Sequence, residues 1–234
     1  MNRINYSVMG ILTIFYILIA QHFSQPGLVS TLYAGPDYHA RIIFILCYFF
    51  NVGSYACLTM GVIESHLKEI VPCILIRSHS IYPIFTIFLK QIIQFVIIME
   101  TLKVLTFCLY LKLTVPVLPS LVPLIKPYIL NCLFLCFILV IQALLELLLD
   151  SPKALIATLL SVSCSVFVSD ILNFLAPGSW LNALLPLNLT LTNRFNHFSQ
   201  SLPYPTLLSL IIMSSVMVCS IGLMLHLFKT KNWI

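Results

Sequence analysis

The sequence predicts an all-α integral membrane protein with six transmembrane helices. Two observations carry this prediction: 60% of the 234 residues are hydrophobic and only 8% are charged, and the mean hydropathy is +1.06. Soluble domains carry roughly 25% charged residues, so this composition cannot cover a water-facing surface. Too little polar sequence remains for a second domain. We therefore expect residues 1–234 to form a single transmembrane unit.

Six apolar runs approach or reach the length at which a helix crosses a bilayer, about 20 residues. They are expected to be helices, because a spanning segment must satisfy its backbone groups internally and these runs lack the alternation of barrel strands. The first run follows Arg3 and could be a signal peptide, but its end lacks the small residues of a cleavage site. We interpret it as an uncleaved span. The runs are 5–23, 42–63, 84–111, 127–149, 154–175 and 206–228.

The distribution of Lys and Arg predicts the orientation. With six spans, both termini lie on one side of the membrane. That side holds Arg3, Lys68, Arg77, Lys90, Lys153, Lys229 and Lys231, against Arg41, Lys112, Lys126 and Arg194 on the other. Basic residues accumulate in cytoplasmic loops. Both termini are therefore predicted to be cytoplasmic, and residues 24–41, 112–126 and 176–205 to form outer loops.

The segment between the second and third runs is short and charged. It reads ESHLKEIVPCILIRSHSIYP over residues 64–83. Apolar residues recur at helical spacing from Leu67 to Ile74, and Glu64, Lys68 and Glu69 fall largely off that face. We expect an amphipathic element on the inner membrane surface. It could also be an ordinary inner loop whose apolar residues rest on lipid.

Two charged residues lie inside the third run. Glu100 and Lys103 are three residues apart, so they share one face of a helix. The run 84–111 would be about 42 Å long, which exceeds a hydrocarbon core of about 30 Å. Intramembrane charges are costly and often functional. The two residues could line a translocation path or could serve only helix packing, and the sequence leaves open whether they pair with each other.

Other polar residues are assigned from their position along the runs. Asp170 is expected near the outer boundary as an interfacial anchor. Glu146 and Asp150 are expected to face cytoplasmic water or a partner. Residues 180–191, WLNALLPLNLTL, could form a short re-entrant or interfacial helix broken at Pro186, and they contain the glycosylation pattern Asn188-Leu189-Thr190.

Several functions lack their sequence pattern. The net charge is only +5 and no dense Lys/Arg block occurs, so nucleic-acid binding is not expected. No zinc spacing, H-E-x-x-H, G-x-S-x-G or nucleotide-binding loop is present. We therefore predict no metal site, no catalytic residue and no cofactor bound by this chain.

The layout as a whole resembles the permeases of type-2 ABC exporters, in particular the small bacterial permeases of lantibiotic immunity and peptide export. The shared features are six spans with inner termini, an inner amphipathic segment continuing as RSHSIYPIFTIFLKQII into a long third helix, a short inner turn between spans four and five, a long apolar outer loop between spans five and six, and the basic tail FKTKNWI. No strict motif accompanies this layout.

The resemblance implies a transmembrane subunit of an ATP-driven exporter in the bacterial cytoplasmic membrane, moving a hydrophobic or amphipathic peptide or an antibiotic-like molecule. A second permease subunit, identical or related, would complete the pathway. A separate ATP-binding cassette subunit would hold ATP and magnesium and would dock on Glu64, His66, Leu67, Lys68, Glu69, Ile70 and Arg77. An outer gate would include Trp180, Leu184 and Pro186.

Three other functions fit a chain of this kind. The first is the six-span small-molecule-binding component of an energy-coupling transporter, which would need a polar pocket under its outer loops. The second is a membrane-embedded enzyme, which would need a compact polar cluster. The third is a structural or assembly subunit without a substrate of its own.

Overall fold

A computed structural model describes Tyr33, residues 42–61, 82–114, 120–176, 181–182 and 185–191, Arg194 and residues 205–230. Within these residues the regular structure is helical and no strand occurs. The helices are α1 (Ile42–Thr59), α2 (Tyr82–Thr114), α3 (Ile125–Leu148), α4 (Ser151–Leu175) and α5 (Pro205–Thr230), with 3₁₀ turns at Val122–Leu124 and Pro186–Leu189. The predicted first span, the charged segment that follows Gly61, and both termini lie outside the described residues.

Four described helical stretches are long and apolar enough to cross a membrane: Thr86–Tyr110, Val122–Leu148, Ser151–Leu175 and Leu210–Leu227. They coincide with the predicted third to sixth spans. Helix α1 occupies the place of the predicted second span and is 18 residues long. The protein is therefore an all-α, multi-pass membrane protein, as the composition predicted.

Helix α3 is the centre of the bundle. It packs against α1, α2, α4 and α5, and its buried side chains lie on every face, as expected for a helix that is apolar all round. The surrounding helices turn large apolar side chains outward, such as Ile97 and Leu105 of α2 and Phe167 of α4. A continuous apolar exterior of this extent is a surface for lipid.

Two ends of the bundle can be distinguished from the contacts. At the first, which we call the Gly61 end, the end of α1 meets the end of α3 through a hydrogen bond from Gly61 to Glu146. At the second, which we call the Arg194 end, Arg194 pairs with Asp170 near the end of α4. Helix α5 runs from the Arg194 end to the Gly61 end.

Local sequence explains where the helices stop at the Gly61 end. Gly61 adopts a left-handed backbone conformation with φ of 75°, which glycine reaches without steric cost and which commonly terminates helices. Helix α4 starts at Ser151 and carries Pro152 in its first turn, where a missing backbone N–H costs nothing. The resulting α3–α4 turn is as short as the sequence predicted.

Helix α2 has 33 residues, so it is about 50 Å long.

Candidate functional site

Glu100 and Lys103 form a buried ion pair on α2. The Lys103 ammonium lies 2.7 Å from Oε2 and 2.8 Å from Oε1 of the Glu100 carboxylate. The Glu100 side chain is 0% exposed and the Lys103 side chain is 4% exposed. The structure thus answers the question that the sequence left open: the two residues pair with each other along one helix face.

Two tyrosines complete the environment of this pair. Tyr55 of α1 donates a hydrogen bond to Oε1 of Glu100 at 2.6 Å, and Tyr33 donates to Oε2 at 2.9 Å. The ammonium of Lys103 also lies 4.7 Å from the centre of the Tyr33 ring, a cation–π distance. The charges are therefore compensated inside the bundle, and in this conformation they do not face an open path.

Tyr33 reaches this site from the predicted outer loop 24–41. Its ring packs with Phe107 of α2 and Leu124, which precedes α3. Beside it, the hydroxyls of Thr101 and Tyr128 are 2.9 Å apart. Sequence analysis missed Tyr33, because a single tyrosine in a loop carries no periodic pattern that would direct it into the bundle.

A second ion pair joins Asp170 of α4 to Arg194. Nη2 of Arg194 lies 2.9 Å from Oδ1 of Asp170. The two groups form an ion pair, but the angle between them does not meet the criteria for a hydrogen bond. The Arg194 side chain is 0% exposed and that of Asp170 is 30% exposed. Nη1 of Arg194 donates to the carbonyl of Val166 at 3.4 Å. Sequence analysis assigned Asp170 only the role of an interfacial anchor and treated Arg194 only as a loop charge.

Residues 185–191 pack into the bundle beside this pair. Leu187 and Leu191 are buried in a cluster with Val52 of α1 and Phe134 of α3. A 3₁₀ turn begins at Pro186, where the sequence predicted a break in a short helix over 180–191. Residues 180, 183 and 184 of that helix lie outside the described residues. Of the predicted gate residues, Trp180 and Leu184 lie outside the described residues, and Pro186 starts this turn.

Polar side chains fix the same segment to α4. Ser169 donates to Oδ1 of Asn188 at 2.9 Å, and Nδ2 of Asn188 donates to the carbonyl of Asn182 at 2.9 Å. Asn188 is fully buried, so the glycosylation pattern at this residue serves packing instead of presenting an acceptor. In the described structure the side-chain amide of Asn182 is also fully buried, with neither polar atom hydrogen-bonded.

At the Gly61 end, side chains of α3 hold the end of α1. The Gly61 N–H donates to Oε1 of Glu146 at 3.1 Å. Nε2 of Gln142 donates to the carbonyl of Ala56 at 2.9 Å and to Oε1 of Glu146 at 3.3 Å. The expectation that Glu146 faces water or a partner is therefore wrong. Oε1 of its carboxylate accepts hydrogen bonds from the Gly61 backbone and from the Gln142 side chain instead.

The α3–α4 turn at the same end is exposed. Asp150 and Lys153 form an ion pair and are 72% and 70% exposed, so Asp150 faces water as the sequence predicted. The hydrogen bond and the positive charge of Lys153 hold the pKa of Asp150 below its usual range. Both groups are therefore charged at neutral pH.

The described residues contain no group of three His, Cys, Asp or Glu side chains that could hold a metal ion. The predicted docking residues lie outside the part of the chain that the structure describes. These are Glu64, His66, Leu67, Lys68, Glu69, Ile70 and Arg77.

Comparison with known proteins gives a family and no function. The model of a family described as "Protein of unknown function (DUF2705)" matches residues 10–234. Neither the curated proteins nor the solved structures contain a significant match to this chain. Since the family model covers nearly the whole sequence, the chain belongs to the DUF2705 family.

Proposed function

We propose that this protein is the transmembrane subunit of an ATP-driven exporter of the ABC type. One observation supports the proposal: in the sequence the charged segment 62–81 connects α1 to α2, and Gly61, the residue before it, is bonded to the central helix. Gly61 is bonded to Glu146 of α3, and α2 starts at Tyr82. We place the Gly61 end, both termini and this segment in the cytoplasm, following the distribution of basic residues.

The contacts at the Gly61 end supply a mechanical route for the proposed mechanism. A cytoplasmic ATP-binding cassette subunit docks on Glu64, His66, Leu67, Lys68, Glu69, Ile70 and Arg77 and moves this segment when it binds ATP and magnesium. Displacement of Gly61 acts on Glu146 and, through Ala56, on Gln142. Because α3 contacts four other helices, a movement that starts there reaches the whole bundle as a rigid-body change.

The Arg194 end supplies the exit in this proposal. Residues 176–205, including Trp180, Leu184 and Pro186, form part of the gate through which the substrate leaves. The side chains of Leu187 and Leu191 fill the bundle at this end, so the segment has to withdraw to open a path. Apolar walls favour a hydrophobic or amphipathic peptide or an antibiotic-like molecule. A second permease subunit, identical or related, completes the pathway in the bacterial cytoplasmic membrane.

Charge reversal in the docking segment tests this function. The variant carrying Glu64→Lys, Lys68→Glu and Glu69→Lys should reach the membrane but lose its ATP-binding subunit and stimulation of ATP hydrolysis. Lys112→Glu is the matched control, because Lys112 is an exposed residue at the other end of α2. Wild-type complex assembly and ATPase stimulation in the triple variant would overturn the proposal.

A second candidate function is supported by the polar groups at the Arg194 end. The small-molecule-binding component of an energy-coupling transporter needs polar groups under its outer loops. The buried amide of Asn182, with no hydrogen-bond partner for either of its polar atoms, lies in such a place beside Asn188. Native mass spectrometry of the purified chain distinguishes the candidates: a stoichiometric small molecule, lost in Asn182→Ala, favours this component over an exporter.

A further inference from the structure

A polar stripe runs along the exposed face of α2. Its members, Thr86, Lys90, Gln94 and Thr101, are all exposed. At 3.6 residues per turn they lie within about 80° of one another and extend along about 22 Å of the helix. Exposed isoleucines flank them, such as Ile93. The polar stripe therefore interrupts the apolar exterior that the bundle presents to lipid.

The register of α2 against α3 gives the depth of Lys90. Thr101 of α2 faces Tyr128 of α3, with the two hydroxyls 2.9 Å apart. Phe88 of α2 and Leu147 of α3 belong to one buried cluster, so the two helices run in opposite directions. Lys90 precedes Thr101 by 11 residues, or about 17 Å of helix, which leaves about 13 Å to the end of α3. Lys90 thus lies well inside the length of the central helix.

The charge of Lys90 lies where the chain has to cross hydrocarbon. Lys90 falls within Thr86–Tyr110, one of the stretches that are long and apolar enough to span a membrane. Its side chain is exposed, and in the part of the chain that the structure describes no ion pair or hydrogen bond involves its ammonium. A lysine at this depth is costly unless it reaches water or an anion, towards which its flexible stem extends. An anion that meets Lys90 from outside the bundle removes much of this cost.

We propose that the polar stripe of α2 binds the headgroup of an acidic phospholipid at Lys90 and Gln94. The charges of α2 favour an anion: its exposed charged residues, Lys90 and Lys112, are both basic, whereas its acidic residue, Glu100, is buried against Lys103. Gln94 lies one turn from Lys90 on the same face, and its amide N–H groups donate to phosphate oxygens. The acyl chains of the lipid rest on the isoleucines beside the stripe. The inference depends on α2 alone and not on the proposed function.

Site-specific photocrosslinking tests the lipid and its charge together. The full-length chain, with a photoreactive amino acid at position 94, is reconstituted in vesicles of equal parts phosphatidylcholine and phosphatidylglycerol. Mass spectrometry then gives the ratio of the two lipids among the crosslinked products. We expect the acidic lipid to be enriched about fivefold, the preference that one basic residue near a membrane surface provides. Lys90→Gln should abolish the enrichment at position 94.

Two controls separate this site from general attraction of acidic lipid. Lys153→Gln removes the same charge from a site that is 70% exposed on the α3–α4 turn, and it should leave the enrichment at position 94 unchanged. A photoreactive amino acid at Phe167, which faces outward from α4, should capture the two lipids in their bulk ratio. Enrichment that persists in Lys90→Gln would overturn the inference. Crosslinking of position 94 to a second copy of the chain instead of to lipid would also overturn it, because the polar stripe would then be a protein interface.

Discussion

The Arg194 end and the Gly61 end of the bundle are closed in different ways. At the Arg194 end, Arg194 pairs with Asp170, and Leu187 is buried in the bundle. At the Gly61 end, Glu146 of α3 bonds to Gly61 at the end of α1, and the charges of the α3–α4 turn are exposed. In the described residues, buried contacts close the Arg194 end, whereas the turn at the Gly61 end is exposed.

This difference predicts where substitutions matter for stability. Breaking a buried ion pair by removing one partner is strongly destabilising, because the remaining charge is left in a low-dielectric interior. Exposed pairs contribute little, because water and salt screen them. The buried ion pairs should therefore contribute most to the stability of the bundle, and the exposed pair of the α3–α4 turn should contribute little.

The largest effect is expected at Glu100. Glu100→Gln keeps the shape of the side chain but leaves the buried charge of Lys103 uncompensated, at a cost of about 3–5 kcal/mol. Thermal unfolding in mild detergent should show a large fall in melting temperature. The double variant Glu100→Gln with Lys103→Met should recover most of it, because no buried charge remains. A melting temperature of the double variant as low as that of Glu100→Gln would contradict the account.

The next effect is expected at Tyr55. Tyr55→Phe removes the 2.6 Å hydrogen bond to the Glu100 carboxylate, and hydrogen bonds to charged groups contribute about 1.5–3 kcal/mol. Tyr48→Phe is the control, because the Tyr48 hydroxyl lies 3.5 Å from that of Thr190, too far for a strong bond. The melting temperature should fall clearly more in Tyr55→Phe. Equal shifts in the two variants would argue against a special role for the carboxylate.

A smaller effect on stability, but a local effect on motion, is expected at Arg194. Arg194→Lys keeps the positive charge but loses the guanidinium group, whose two terminal nitrogens reach Asp170 and the Val166 carbonyl. The Asp170 carboxylate is partly exposed, so water can solvate its negative charge when the arginine is lost. Hydrogen exchange of the Asn188 and Thr190 amides, which bond within the segment, should speed up at least tenfold. Exchange as slow as in the wild type would show that Arg194 does not hold the segment.

The smallest effect is expected at the exposed pair. The pKa of Asp150 is held below its ordinary value of 3.8, so any stability from the pair is present above that value and is lost only as the pH falls through the lower, folded-state pKa. Because an exposed pair contributes little to stability at any pH, Lys153→Gln should leave the melting temperature unchanged between pH 6 and 8. A melting temperature that falls in this variant within that pH window would assign the pair a structural role.

The sequence predicted those features that depend on neighbouring residues. The helices match the apolar runs closely, because hydropathy and length are local properties; α3, for example, spans 125–148 against the predicted run 127–149. The shared face of Glu100 and Lys103 follows from their spacing of three. The start of α4 at Ser151 follows from Ser-Pro.

The features that the sequence missed depend on residues far apart in the chain. Tyr33 and Glu100 are separated by 67 positions, and Gly61 and Glu146 by 85. A tyrosine or an arginine in a predicted loop, or a single glycine, shows no periodicity that indicates its partner. Glu146 was expected to face water or a partner because the sequence shows that it lies near a helix end. The sequence does not show the backbone N–H whose hydrogen bond it accepts.

The central claim is that a cytoplasmic subunit drives this bundle from the Gly61 end. It is tested most directly by purifying the tagged full-length chain from its native membrane in mild detergent and measuring ATP hydrolysis and protein composition. The account predicts a stoichiometric ATP-binding cassette subunit that protects residues 62–81 from protease. A homogeneous preparation in which that segment is cleaved and no nucleotide-hydrolysing subunit is present would contradict it.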